Sequence, residues 1–203
     1  MSIKAAVKNH FINHLFKEDG GNLSFQEHLA NNSKIHGDYF IQDKTEDGAL
    51  GEIHQEKLVF RRFSWEDFDE SAELFKKVFN AGPWYDNWRS LDEVRNYLGE
   101  LASNPVFEGF IVQENSHIIA ACMGRRRSWW NGKEFFVDEF LVENDMQGEG
   151  IGTKLMNFVS QSLLKEGYTR IILFTNKGIP AEIFYLKNGF YNNQNRTVMV
   201  KEL

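Results

Sequence analysis

The sequence predicts a mixed α/β domain, in which helices flank a central, mostly antiparallel twisted sheet, together with a small, partly helical N-terminal extension. Short apolar runs typical of strands alternate with helix-spaced apolar residues from residue 57 onward. Hairpin-type turns join the strands in the first half of this region, whereas helices separate them in the second half. Eighteen Phe and 42% hydrophobic residues supply enough apolar surface to close such a core.

A change in composition near residue 55 divides the chain. Residues 1–55 hold five of the six histidines and show little sustained periodicity. Within them the spacing predicts one helix over 5–16 and a second, short helix that begins at Ser24. The polar, glycine-containing stretch 42–52 indicates a linker. We therefore predict an N-terminal extension of unknown role over 1–55 and a main domain over 56–203.

Turn residues and periodicity define the elements of the main domain in chain order. The first half is predicted to contain a strand over 58–63, helices over 68–79 and 90–101, and strands over 107–113, 117–124 and 135–142. Asn131-Gly132 is a preferred two-residue hairpin turn before the last of these strands. The second half is predicted to contain a glycine-rich turn, a helix over 155–164, a strand over 170–175, a helix from Pro180 and a final strand over 197–201.

Charge and cysteine content exclude several classes of protein. The formal net charge of −6 disfavours general binding to nucleic-acid phosphates and favours a cationic partner. Cys122 is the only cysteine, so an intrachain disulfide is excluded and a reducing, cytoplasmic location is expected. Neither a secretory signal nor an apolar stretch of membrane-spanning length is visible. His10 and His14 have metal-ligand spacing, but no third ligand accompanies them, and no metal is predicted.

A glycine-rich turn is the clearest chemical signal. A predicted strand leads into Gln147-Gly148-Glu149-Gly150-Ile151-Gly152, and a helix follows. Glycines leave backbone N–H groups open to approach, so this turn predicts a pyrophosphate cradle at a helix N-terminus. The dinucleotide-binding fingerprint fits poorly because no acidic residue ends the next strand, and the Gly-Lys-Ser/Thr step of a nucleoside-triphosphate loop is missing.

A second motif follows in order, Ala181-Glu182-Ile183-Phe184-Tyr185-Leu186-Lys187-Asn188-Gly189-Phe190. With the glycine-rich turn, which matches the pattern Gln/Arg-x-x-Gly-x-Gly/Ala, it resembles the GNAT superfamily of acyl-CoA-dependent N-acetyltransferases. The resemblance covers residues 57–203 and implies a GNAT-like fold with a sheet of about six or seven strands. Residues 79–88, together with Asp138-Glu139, look most like aminoglycoside N-acetyltransferase-like members.

The resemblance implies direct attack of an amine on the thioester of acetyl-CoA, and such an attack needs a base because an ammonium has no lone pair. Asp138 and Glu139 are the candidates. Neighbouring strand side chains face opposite ways, so both can face the substrate only if a bulge intervenes, as the family has close by. The family register favours Asp138, whereas aminoglycoside-type relatives often carry Glu at the next position. Either carboxylate could instead pair with a neighbouring arginine.

Further site residues are implied by the same resemblance. Tyr185 would be the acid that reprotonates the CoA thiolate. The backbone of Phe140, Leu141 and Val142 would polarise the thioester carbonyl and pair with the pantetheine arm. Cofactor-binding residues would be Gln147, Gly148, Gly150, Ile151, Gly152, Thr153 and Asn176. Asn176 would substitute for an Asn that relatives place where this chain has Gly178.

The sequence therefore predicts an acetyl-CoA-dependent N-acetyltransferase that acts on a small polycationic amine such as an aminoglycoside. A polyamine, an amino acid or a protein amine is an alternative acceptor, because acceptor loops vary while the cofactor motif persists. A non-catalytic CoA-binding module that uses residues 1–55 for docking is the alternative from another class. Neither a nucleic-acid nor a membrane partner is expected, and a homodimer is expected because many relatives dimerise.

Overall fold

The computed structural model describes residues 58–203, so the two helices and the linker predicted within 1–55 lie outside the described residues. The strands are β1 (Val59–Arg62), β2 (Phe107–Glu114), β3 (His117–Trp129), β4 (Gly132–Val142) and β5 (Tyr168–Leu173). The α-helices are α1 (Phe68–Asn80), α2 (Leu91–Ala102), α3 (Ile151–Lys165) and α4 (Pro180–Lys187), and two short 3-10 turns precede α1 and follow β4.

The sheet has the order β1-β2-β3-β4-β5. Neighbouring strands are antiparallel from β1 to β4, and β5 runs parallel to β4 after the α3 crossover. This arrangement confirms the predicted mixed fold with its mostly antiparallel sheet. Within 58–203, no helix is long and apolar enough to cross a membrane.

The predicted final strand over 197–201 is wrong, and the described sheet has five strands rather than six or seven. Val198 is 64% exposed and Met199 is 88% exposed, so neither packs into a core. Alternating apolar residues satisfy only the side-chain requirement of a strand. The backbone must also find an adjacent edge to hydrogen-bond with, and the spacing of residues does not reveal one.

Two hydrophobic clusters cover opposite faces of the sheet. On one face, α1 and α2 pack with Leu141 and Met123 of the sheet. On the other face, α3 packs with Phe110, Phe135 and Val137. The alternation of β4 side chains between the two clusters follows from the two-residue period of a strand.

A bulge interrupts this alternation in β4. Met123 of β3 pairs with Glu139, whereas the next β3 residue, Gly124, pairs with Val137. Asp138 is therefore the extra residue, and β4 changes direction there. Pairing between β4 and β5 ends at Val137, although β4 continues to Val142. The strands diverge beyond the bulge, and no described strand pairs with the β5 side of β4 from residue 138 on.

Replacement of Gly124 by Ala is expected to destabilise the domain. A Cβ at this position would lie 2.1 Å from the carbonyl oxygen of Phe136 and 2.9 Å from Cζ of Phe135, and backbone cannot move aside cheaply. We expect the free energy of unfolding in urea to fall by about 3 kcal/mol. Gly99→Ala is the control, because a Cβ there meets only Phe68 at 3.8 Å. That helical substitution should raise stability by about 0.5–1 kcal/mol. If the urea concentration at the unfolding midpoint were the same for Gly124→Ala and the wild-type protein, the close approach of β3 and β4 beside the bulge would be contradicted.

Candidate active site

The bulge brings both predicted carboxylates to the face of the sheet that α1 and α2 cover. The Asp138 carboxylate accepts a hydrogen bond from Arg125 of β3, and the Glu139 carboxylate accepts one from the Tyr97 hydroxyl of α2. The sequence left open whether a bulge would place the two residues on one side, and the structure contains that bulge at Asp138. Two acidic groups adjacent in the chain thus share one environment.

Asp138 is engaged in an ion pair with a neighbouring arginine. The Arg125 guanidinium binds Oδ1 of Asp138 and lies 4.8 Å above the centre of the Phe136 ring. Burial raises the pKa of Asp138, while the charge and hydrogen bond of Arg125 oppose that rise. Oδ2 is buried and has no hydrogen-bond partner among the described residues. One oxygen of this carboxylate is therefore held by a cation, and the other accepts no hydrogen bond from a described residue.

Glu139 has the electrostatic character of a base that works near neutral pH. The Tyr97 hydroxyl donates a hydrogen bond to its Oε1. The pKa of Glu139 is raised to about 7, chiefly by burial and also by the charges of Asp138 and Asp86, while the Tyr97 hydrogen bond opposes the rise. A carboxyl with this pKa is partly ionised at neutral pH and can both take and release a proton.

Tyr185 lies on α4 against the end of β4. Its ring centre is 6.2 Å from that of Phe140 and 5.4 Å from that of Phe190. Burial raises the pKa of Tyr185, and the negative charge of Glu139 raises it further. The phenol thus stays protonated at neutral pH, as a proton donor must. Its electrostatic coupling to Glu139 indicates that the two groups lie at the same end of β4.

The glycine-rich turn forms the N-terminus of α3. Gly148 has φ of 89° and Gly150 has φ of 82°, and a Cβ at either position would meet nothing within 4 Å. Gly150 is the N-cap, and no side chain caps the helix. The first N–H groups of a helix lack intrahelical partners, so this turn offers several donors to an anion.

The predicted cofactor residues around this turn differ in what they can offer. Leu141 and Ile151 are buried in the two hydrophobic clusters, so their side chains are not available to a cofactor. Gln147 donates from Nε2 to the carbonyl of Val142 at 3.0 Å, which braces the turn against the end of β4. Thr153 is exposed in the first turn of α3, and Asn176 is exposed in the loop between β5 and α4. Their predicted contacts with a cofactor stay predictions.

A cleft of about 500 Å³ opens beside the site in the loop between α1 and α2. Its lining includes Asp86, Trp88 and Glu93. Asn80 fixes the loop, because its side chain both donates to the Trp88 carbonyl and accepts from the Trp88 N–H, each at 3.0 Å. The Trp88 ring centre lies 5.4 Å from that of Tyr97. Arg89 also lines the cleft, but its charge is exceeded by those of the two carboxylates, which together with the indole ring suit a cationic ligand.

Sequence reasoning missed two residues of this site. Tyr97 was visible only as one apolar position on a helix, and Arg125 only as part of a basic run leading into a hairpin. Arg125 pairs across the strands with Phe136, so its contact with Asp138 depends on the bulge, and nothing local linked Tyr97 to Glu139. Among residues 58–203, no cluster of three or more His, Cys, Asp or Glu side chains could hold a metal ion.

Comparisons with known proteins agree with this geometry. Residues 106–192 match the model of the acetyltransferase (GNAT) domain family. That span contains β2 to α4 and both sequence motifs. GNAT acetyltransferases use acetyl-CoA as the acetyl donor. No curated protein sequence matches the chain significantly.

Solved structures with the same fold include two aminoglycoside acetyltransferases. One is meta-AAC0020 from an uncultured soil metagenomic sample in complex with sisomicin, with 16% identity, a TM-score of 0.58, and coverage of 72% of this chain and 95% of that chain. Another is AAC(6')-Iy in complex with CoA, with 14% identity, a TM-score of 0.59, and coverage of 74% and 97%. A possible acetyltransferase from Clostridium difficile 630 has 15% identity, a TM-score of 0.62, and coverage of 72% and 98%. The described part of the chain therefore has the fold of these solved acetyltransferases, and its residues 106–192 match the GNAT acetyltransferase domain.

Proposed function

We propose that this domain is an acetyl-CoA-dependent N-acetyltransferase. The observation that carries the proposal is the convergence of three features at the end of β4: an uncapped glycine-rich helix N-terminus, a strand edge with no described strand beside it, and a carboxyl with a pKa of about 7. These features supply, in order, an anion site, a backbone edge for an extended ligand and a proton acceptor.

The glycine-rich turn and the end of β4 are suited to bind acetyl-CoA, the acetyl donor. Acetyl-CoA supplies an acetyl group activated as a thioester. The open space at the Cβ positions of Gly148 and Gly150 leaves room for a pyrophosphate against the backbone N–H groups of Ile151, Gly152 and Thr153. The backbone groups of Phe140 and Val142 lie on the side of β4 without a described strand, where an extended arm could pair as a neighbouring strand would, and the Val142 carbonyl already accepts from Gln147.

In this proposal Glu139 and Tyr185 divide the proton transfers. Glu139 takes a proton from the amine, because its carboxylate is partly ionised at neutral pH and is not neutralised by a cation. Asp138 is held by Arg125 and contributes negative charge near the amine. Tyr185 gives its proton to the departing thiolate sulfur and regains one from solvent. The proposal thus selects Glu139 over Asp138 as the base, contrary to the preference from register alone.

We further propose a small polycationic amine, such as an aminoglycoside, as the acceptor. The cleft between α1 and α2 carries Asp86 and Glu93 against one cation, Arg89, and Trp88 offers an aromatic surface to a cation or a sugar ring. The net charge of −6 would steer such an acceptor toward the protein. Two solved structures with this fold are aminoglycoside acetyltransferases. We also propose a cytoplasmic location, which the single cysteine, Cys122, supports. We propose a homodimer as well, which sedimentation velocity would test.

Release of CoA thiol from acetyl-CoA, measured over a panel of amines, tests the proposal. The panel should contain aminoglycosides, polyamines, amino acids and short peptides. Selective release with aminoglycosides would support both the reaction and the acceptor. Release with another class would retain the reaction and replace the acceptor. Tight binding of acetyl-CoA with no release for any amine would favour the non-catalytic CoA-binding module.

Gly150→Ala is expected to weaken binding of CoA at least tenfold. The left-handed φ of 82° strains any residue with a Cβ, and the added methyl would enter the open cradle. Isothermal titration calorimetry with CoA measures the effect. Gly167→Ala is the matched control, because Gly167 also has a left-handed φ, 79°, with nothing within 4 Å of its Cβ, but it follows α3 at the opposite end. Both variants should lose about 1–2 kcal/mol of stability, and only Gly150→Ala should lose affinity. Equal CoA affinity in the two variants would contradict a cradle at Gly150.

A further inference from the structure

Only one side-chain hydrogen bond of Glu139 is present within the described residues, and it comes from a different element of the fold. The Tyr97 hydroxyl on α2 donates to Oε1 of Glu139 on β4. The Tyr97 ring is held by aromatic neighbours, with centres 5.4 Å away at Trp88 and 5.7 Å away at Phe75. Phe75 is a core residue of α1 that is 2% exposed. The phenol that reaches Glu139 is therefore fixed in place by the core.

We propose that Tyr97 is a positioning residue for Glu139. Its hydroxyl occupies Oε1, fixes the orientation of the carboxylate and leaves Oε2 as the oxygen that takes a proton from the acceptor. This inference rests on the proposed function, in which Glu139 is the base. It adds a residue that does not touch the reacting atoms but acts through one that does.

The groups around Glu139 give the Tyr97 bond a second effect. Asp138 on β4 and Asp86 in the α1–α2 loop both favour the protonated form of Glu139 through their negative charges. Arg125 on β3 is committed to Asp138, and Tyr185 on α4 is neutral. The Tyr97 hydrogen bond is the interaction that stabilises the ionised carboxylate. Tyr97 thus keeps Glu139 ionised at a pH where burial and two negative neighbours would protonate it.

Tyr97 also connects the base to the acceptor cleft. Trp88 packs on the Tyr97 ring and lines the cleft, and Asn80 clamps the backbone of Trp88 with two hydrogen bonds. The Tyr97 side chain therefore contacts both Trp88 in the cleft wall and the carboxylate of Glu139. Phenylalanine at position 97 would keep the packing and remove only the hydroxyl, so the two effects can be separated.

Tyr97→Phe is the decisive variant. We expect kcat at pH 7 to fall about tenfold, and the acid limb of the pH profile of kcat/KM to move upward by about one pH unit, because a hydrogen bond to a charged group is lost. Activity should recover above pH 9, where Glu139 is ionised again, and KM for the amine should change little because the ring remains. Direct titration of the Glu139 carboxyl by ¹³C NMR should show the same upward shift without any reaction.

Tyr168→Phe is the matched control. The Tyr168 hydroxyl donates to Glu108 in a similar tyrosine–carboxylate pair between β5 and β2. This variant should lose comparable stability and leave both the pH profile and the Glu139 titration unchanged. In a Glu139→Gln background, Tyr97→Phe should reduce the residual rate no further, since its effect runs through the carboxylate.

The outcomes separate the two proposals. If the wild-type protein releases CoA but Tyr97→Phe keeps the wild-type acid limb and the wild-type Glu139 titration, the positioning role is overturned. If the wild-type protein releases no CoA with any amine, the proposed function fails. The NMR titration then still decides whether Tyr97 sets the ionisation of Glu139.

Discussion

Glu139→Gln should lower the rate of acetyl transfer by about 10²- to 10⁴-fold, the range typical of a lost general base. Glutamine keeps the shape and can still accept the Tyr97 hydrogen bond, so acetyl-CoA affinity should not change. Stability at pH 8 should not fall and should rise slightly, because the variant no longer holds a partly buried charge. The measurements are steady-state CoA release and urea unfolding.

Asp138→Asn is the comparison that assigns the base. Loss of this charge leaves Arg125 without its partner, so some destabilisation is expected, but the rate should fall much less than in Glu139→Gln. A near-complete loss in Asp138→Asn with a retained rate in Glu139→Gln would contradict our assignment and restore the residue that the register favoured.

The pH dependence follows from the sign of the shift. The base acts when it is ionised, and burial has raised the pKa of Glu139 to about 7, so the wild-type rate should increase as pH rises through about 7. The rate of Glu139→Gln should not show this increase near pH 7. Any increase at higher pH would come from deprotonation of the ammonium group of the acceptor. An acid limb near pH 4 to 5 in the wild-type protein would indicate a solvent-exposed carboxylate instead.

Tyr185→Phe should lower kcat by about 10²-fold, because the thiolate would leave without a positioned proton donor. The ring contacts with Phe140 and Phe190 are preserved, so the KM for acetyl-CoA and the melting temperature should change little. Single-turnover measurement of CoA release gives the chemical step directly.

Tyr191→Phe is the matched control for this loss. Tyr191 follows α4 as well, but its side chain is 77% exposed. Its rate should equal that of the wild-type protein. If Tyr185→Phe also retained the full rate, the departing sulfur would have to take its proton from water, and the acid role of Tyr185 would be wrong.

Elements with local signals were predictable from the sequence. The helical stripe of α3 and the first-turn proline of α4 each depend on residues within one or two turns of chain, and both occur in the structure. The predicted Asn131-Gly132 turn is displaced by one residue, because Trp130 and Asn131 connect the strands and Gly132 pairs with Trp129 as the first residue of β4. The glycine-rich turn was recognised for the same reason, since the left-handed φ at Gly148 and Gly150 is a local requirement of the backbone.

The contacts of the candidate catalytic residues depend on distant parts of the chain. Asp138 and Glu139 could be named as candidates, but the roles that we propose for them depend on Arg125, thirteen residues away, and Tyr97, forty-two residues away. The bulge that places both carboxylates on one face is a shift in the pairing of β3 with β4 between Met123 and Gly124. No local pattern specifies which cation or hydroxyl a folded sheet will bring to a carboxylate.

The sequence by itself thus determined the fold class, the glycine-rich turn and the set of candidate groups, because backbone preferences and side-chain periodicity act over a few residues. Only the tertiary structure decided that Asp138 is paired, that Glu139 is left with a pKa of about 7, and that residues 197–201 form no strand. Burial, charge pairing and strand-edge pairing are properties of the assembled sheet and its helices, so they become defined only when distant segments meet.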